Sequence, residues 1–150
     1  MKITLLVCLL ALVNLAQFDK PEKDKDKLKR PAEITLRANL ARVRSVMLAD
    51  YARDGWQVEN DTESTLVFSR VGGPKSIVRF LYGPLARTED RFTLIERDGA
   101  VLVIADLGLM VPADSGPNLE RRDWNRDKKA RQRIEEYFTS LKEQAEATKP

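Results

Sequence analysis

Asp106 stands in an otherwise apolar run (Val101-Leu102-Val103-Ile104-Ala105-Asp106-Leu107), the most unusual setting of any carboxylate in the chain. Burial disfavours a charged carboxyl and raises its pKa, which is one way a general acid is tuned. An ion pair with Arg79 or Arg97 is the structural use of the same residue. Glu89 and Asp90 are neighbours, so on a strand their side chains diverge and cannot share a substrate. Gly72-Gly73-Pro74-Lys75-Ser76 has the composition of a phosphate loop without its spacing. A strand is predicted after it, where phosphate binding needs a helix N-terminus. Tyr82 and Asp106 remain as enzyme candidates, with no paired base at any recognisable spacing.

The missing residue types restrict the chemistry further. The 150 residues include no histidine and one cysteine, Cys8, in an N-terminal apolar run. A domain so composed lacks a Ser-His-Asp triad, a Cys-His dyad, an ordinary zinc site and a disulfide. The chain therefore reads as non-enzymatic, with no catalytic residue, cofactor or metal assigned. Its 26 basic and 23 acidic residues nearly balance, which argues against nucleic acid as a partner. Arg121, Arg122, Arg126, Lys128, Lys129, Arg131 and Arg133 form one basic cluster, diluted by Glu120, Asp123 and Asp127. It reads as a solvated face, with anionic lipid or nucleic acid as the sharper alternatives.

Met1-Lys2 followed by the apolar residues 3–13 has the form of an export signal, and Asn14-Leu15-Ala16 offers a cleavage site. Residues 1–16 are read as a signal peptide or, if uncleaved, an N-terminal anchor; the run is short for a span of about 20 residues. Lipidation at Cys8 is disfavoured because Val7, before it, is not small. Asp19 to Arg30 alternates acids and lysines with nothing to bury, and residues 17–32 are read as a charged disordered linker. One domain is expected over 33–145, followed by a disordered tail over 146–150. The protein is expected to be exported, periplasmic or secreted, and to touch membrane only through an uncleaved N-terminal segment.

The elements that position these residues follow from periodicity. A short strand is predicted over 33–37. Asn39 then caps a helix whose Leu40, Val43, Met47 and Tyr51 share a face and which Gly55 stops. Strands are predicted over 56–60, 65–71, 75–82, 91–97 and 100–111, with Asp98-Gly99 as a type I′ hairpin turn. Gly108 marks a bulge or a close backbone approach. A loop over 112–118 leads to a helix from about Asp123 whose stripe is Trp124, Arg131, Ile134, Tyr137, Phe138 and Leu141. The fold class is α+β: an antiparallel meander sheet of four to six strands with two helices packed on one face.

Alternation divides the sheet into two sets of side chains. Leu66, Phe68, Val78, Phe80, Tyr82, Phe92, Leu94, Val101, Val103, Ala105 and Leu107 belong under the helices. The opposite face mixes aliphatics with arginines. Ile77, Arg79, Leu81, Arg91, Ile95, Arg97 and Ile104 are its candidate partner-binding residues, since arginine adds a directional donor fork to an apolar surface. β-Branched residues simply tolerated on a solvated face are the plain alternative.

The strand, the capped helix ending in Gly55-Trp56-Gln57-Val58, the meander and the closing helix together resemble the small helix-grip or TBP-like domains of exported bacterial envelope proteins. The resemblance implies a binding or scaffolding role and carries no catalytic residues. The expected function is a non-enzymatic envelope module that contacts an envelope protein, or a second copy of itself as a homodimer, through the helix-free sheet face. The alternative is a carrier of small hydrophobic, lipid-like ligands with a cavity between helices and sheet lined by Phe80, Tyr82 and Phe92.

Overall fold

Asn39 begins the first helix as its sequence predicts: the side chain accepts a hydrogen bond from the Arg42 amide at 2.8 Å. The helix, α1 (Leu40–Arg53), is preceded by β1 (Ala32–Leu36) and ends at Gly55, whose φ of +77° is open only to a residue without a Cβ penalty. This is a computed structural model, and it describes residues 30–73, 75–114 and 118–147. The expected signal segment with Cys8, the charged residues up to 29, Pro74 and residues 148–150 lie outside the described residues. Beyond α1 come β2 (Gln57–Asp61), β3 (Thr65–Val71), α2 (Ile77–Tyr82), β4 (Arg87–Arg97), β5 (Ala100–Pro112), β6 (Leu119–Asp123) and α3 (Lys128–Glu146). All of them belong to one compact unit, Pro31–Pro150.

The six strands form one antiparallel sheet, five of them in the order β1-β5-β4-β3-β2 and β6 beside β5. β2 to β5 are the expected meander, and Asp98 and Gly99 both take positive φ (53° and 75°) at the β4–β5 turn. β5 is long enough to hold two partners on its outer edge. β1 pairs with positions 101–105 and β6 with 108–112.

Two expectations are corrected here. The segment predicted as a strand over 75–82 contains the helix α2. Val71 pairs with Arg87, so residues 72–86 bridge adjacent strands, and β3 and β4 are already paired on both sides. The two strands it joins are each already flanked by another strand, and the segment satisfies its amides locally: Phe80 N–H bonds to Ser76 O and Gly83 N–H to Arg79 O, each at 3.0 Å. Its β-forming composition is overridden by what the neighbours leave available. The second correction is β6, whose Leu-Glu-Arg-Arg-Asp carries no strand pattern; the unpaired end of β5 recruits it. α3 accordingly starts at Lys128, where Asp127 accepts from the Ala130 amide at 2.8 Å.

The core lies between α1, α3 and one sheet face, as alternation requires. Leu36, Leu66, Phe68, Phe92, Val101 and Val103 are fully buried with Val43, Met47, Ile134 and Leu141 of the helices. A smaller cluster joins Val78 of α2 to Ala86, Leu109 and Val111, with Tyr82 and Trp124 at its margin. α3 runs one residue past the expected domain end, and Glu146 accepts from the Arg37 amide at 2.8 Å.

Candidate functional site

Phe80, assigned by alternation to the core, is 87% exposed. Its neighbours Ile77 (69%), Leu81 (60%) and Leu85 (61%) are exposed with it. Val78 is the only α2 residue held in the core, so the helix is an elbow fastened by one side and presenting apolar side chains outward. Single exposed apolar residues are ordinary on protein surfaces, but contiguous ones mark contact sites.

Beside the elbow lies an open trench of about 940 Å³ to which Ile77 also contributes. It is bounded by both tryptophans of the chain, Trp56 and Trp124, and by the basic side chains of Arg70, Arg126, Lys128 and Lys129. Asp127 is the one carboxylate on its lining, and that group is engaged in capping α3. Arg70, Lys128 and Lys129, like Lys75 and Arg79 of the elbow, make no ion pair among the described residues. Elsewhere arginine is matched with carboxylate: Arg44 with Asp61, Arg87 with Glu59, Arg121 with Glu89 and Arg122 with Glu120. Cations without an ion pair are thus gathered around one surface.

The trench rests on a buried polar group. Arg133 binds Asp90 through two bonds of 2.8 Å, and the Tyr51 hydroxyl donates to the same carboxylate at 2.8 Å. The Arg133 guanidinium lies 5.2 Å from the Trp56 ring, which also meets Tyr51 edge-on. Burial, reinforced by the Asp90 charge, pushes the Tyr51 hydroxyl well above the ordinary tyrosine range. Burial works against the Arg133 charge, yet the hydrogen bonds and charge of Asp90 outweigh it and raise the pKa of Arg133. Arg133 is therefore a support for the Trp56 wall rather than a free cation.

The predicted partner-binding residues do not form one surface. Arg91, Ile95, Arg97 and Ile104 share the helix-free sheet face, where Arg91 is opposite Asp106 and Ile95 opposite Leu102. Ile77, Arg79 and Leu81 are on α2 and belong to the elbow. Asp106 pairs with neither Arg79 nor Arg97. Its carboxylate binds Arg121 at 2.9 Å and accepts from Asn125 Nδ2 at 2.8 Å, which is a half-exposed structural network. Phe80, Tyr82 and Phe92 line no common cavity, because Phe80 faces outward while Phe92 is fully buried beside Tyr51 and Phe68.

Gly108 is explained by close approach, though of a side chain. A Cβ there would lie 2.6 Å from Arg121 Nε, which crosses β5 to reach buried Glu89 at 2.9 Å. Gly108→Ala is expected to destabilise by about 1–2 kcal/mol by displacing that guanidinium, against the usual preference for Ala over Gly in a strand. In an Arg121→Ala background the same change is expected to be neutral or stabilising. A urea-unfolding double-mutant cycle checks the reversal.

No protein-family model matches the chain, and no curated protein matches it. Among the described residues there is no group of three or more acidic, cysteine or histidine side chains placed to hold a metal. No described helix is long and apolar enough to cross a membrane. The surface that sequence reasoning missed consists of Phe80, Leu85, Arg70, Trp56 and Trp124. Its legible traces were Ile77, Arg79 and Leu81, assigned to a different face, and the basic cluster around Lys128 and Lys129, which is separated in sequence from the apolar residues it joins.

Proposed function

We propose that the protein is a non-enzymatic binding module whose docking element is the α2 elbow, acting in the cell envelope after export. The observation that carries this is the outward set of Ile77, Phe80 and Leu81, on a helix anchored by Val78, with Leu85 in the turn that follows. Such a patch is costly in water and gains free energy when covered. The apolar run after Met1-Lys2 supports export, and the resemblance to helix-grip or TBP-like envelope domains supports binding over catalysis. The absence of histidine supports the same division.

A photo-crosslinking residue at position 80, compared with one at position 95, tests the reading in cells of the native source. The expected result is a discrete adduct from position 80 that disappears when Leu81 and Leu85 are changed to Ser, with the thermal midpoint unchanged. An adduct of twice the chain's mass would identify the partner as a second copy. Adducts from position 95 alone would overturn the elbow. They would return the contact to the helix-free face, which half-exposed Ile95 favours together with Leu102 and Ile104.

A further inference from the structure

We propose that the elbow and trench together dock on an anionic lipid bilayer, the elbow entering the interface and the trench cations binding lipid phosphate. The inference rests on the elbow being the docking element and names its partner. Two features occur side by side that suit a bilayer and are less well served by other partners. The outward residues Phe80, Ile77, Leu81 and Leu85 gain from leaving water at acyl depth, which a nucleic acid does not provide. The cations around them, Arg70, Lys75, Arg79, Lys128 and Lys129, have no ion pair within the described fold, unlike the arginines paired elsewhere on the molecule. A negatively charged lipid surface complements that arrangement.

The trench supplies the second level of recognition. Trp56 and Trp124 place indole rings beside the cations, and indole is favoured at the boundary between headgroup and hydrocarbon. Ile77 belongs to both trench and elbow, so an inserted elbow brings the trench mouth to headgroup level. Membrane contact is then made by the folded domain itself, and not only through residues 1–16.

Both tryptophans of the protein lie in the trench, which makes their fluorescence a local reporter. The full chain is titrated with vesicles of phosphatidylglycerol and of phosphatidylcholine, with and without brominated acyl chains. The expected result is a blue shift and bromine quenching with phosphatidylglycerol and a much weaker response with phosphatidylcholine. Each surface lysine near anionic lipid contributes about fivefold in affinity, so Lys128→Gln/Lys129→Gln should weaken binding by about 25-fold. Phe80→Ser should weaken it about tenfold or more without changing the thermal midpoint. These variants keep residues 1–16, so any binding by that segment is common to all of them.

Equal response to both lipids would overturn the electrostatic recognition. A full response to inorganic phosphate alone would replace the bilayer by a soluble phosphate ligand, and equal affinity for a single-stranded oligonucleotide would replace it by nucleic acid. Loss of any vesicle response, with the position-80 adduct to a protein intact, would overturn the bilayer and leave the elbow as a protein-docking element. Loss of both would remove the elbow as well.

Discussion

Replacing Phe68 by Ala is expected to cost about 3–5 kcal/mol, and replacing Phe80 by Ala less than about 0.5 kcal/mol, in urea unfolding at unchanged slope. The two phenylalanines occupy positions that strand alternation would treat alike. Phe68 is fully buried, stacked on Tyr51 with centroids 4.1 Å apart and edge-on to Phe92 at 6.1 Å. Removing its ring leaves a cavity in a fully buried cluster, which close-packed neighbours fill only in part. Phe80 has no such enclosure to lose. Comparable losses at the two positions would mean that the elbow is packed in solution, and the docking surface would fall with it.

Asp90→Ala is expected to cost about 3 kcal/mol by the same measurement. The carboxylate is buried and serves two partners at once, the Arg133 guanidinium and the Tyr51 hydroxyl. Removing one member of a buried pair leaves the other uncompensated, at a cost of about 3–5 kcal/mol when neither can reach water. Arg133 is partly exposed and can turn outward, which holds the expected loss near the lower end of that range. Tyr51 cannot, since its side chain is enclosed among Trp56, Phe68 and Phe92. Tyr51→Phe should therefore cost about 1 kcal/mol in the native background and recover a similar amount in the Asp90→Ala background, where it removes an unsatisfied hydroxyl. Losses that simply add in the double variant would show that the hydroxyl and the carboxylate do not act as a unit. In the same variant Trp56 loses the cation above its ring, so trench fluorescence should change along with stability.

The α+β class was legible because its signals are local. The Asn39 cap, the Gly55 stop and the Asp98-Gly99 turn each depend on a few adjacent residues and backbone angles that only certain side chains accept. The core on β3, β4 and β5 was legible for a related reason: once a strand exists, its side chains must alternate. Leu66, Phe68, Phe92, Leu94, Val101, Val103 and Leu107 are all buried as that rule demands.

The elbow was not legible, because Ile-Val-Arg-Phe-Leu-Tyr suits a strand in composition and forms a helix where it bridges two strands that are each already flanked. That placement is decided by the pairing of Val71 with Arg87, a contact between distant residues. β6 is the converse case, a charged segment made into a strand by an edge left open at the end of β5. Asp106 likewise found Arg121 rather than Arg79 or Arg97, since β6 passes beside it and Gly108 leaves room for the guanidinium to cross. The sequence by itself determined the capped helices, the hairpin turn and which face of each long strand is apolar, all set by short-range sterics and hydrogen bonding. Tertiary structure alone decided which segments entered the sheet, and so which apolar residues were left outside beside unpaired cations. Backbone hydrogen bonds must be satisfied throughout the fold, and whether an edge is free to satisfy them is a property of the assembled sheet.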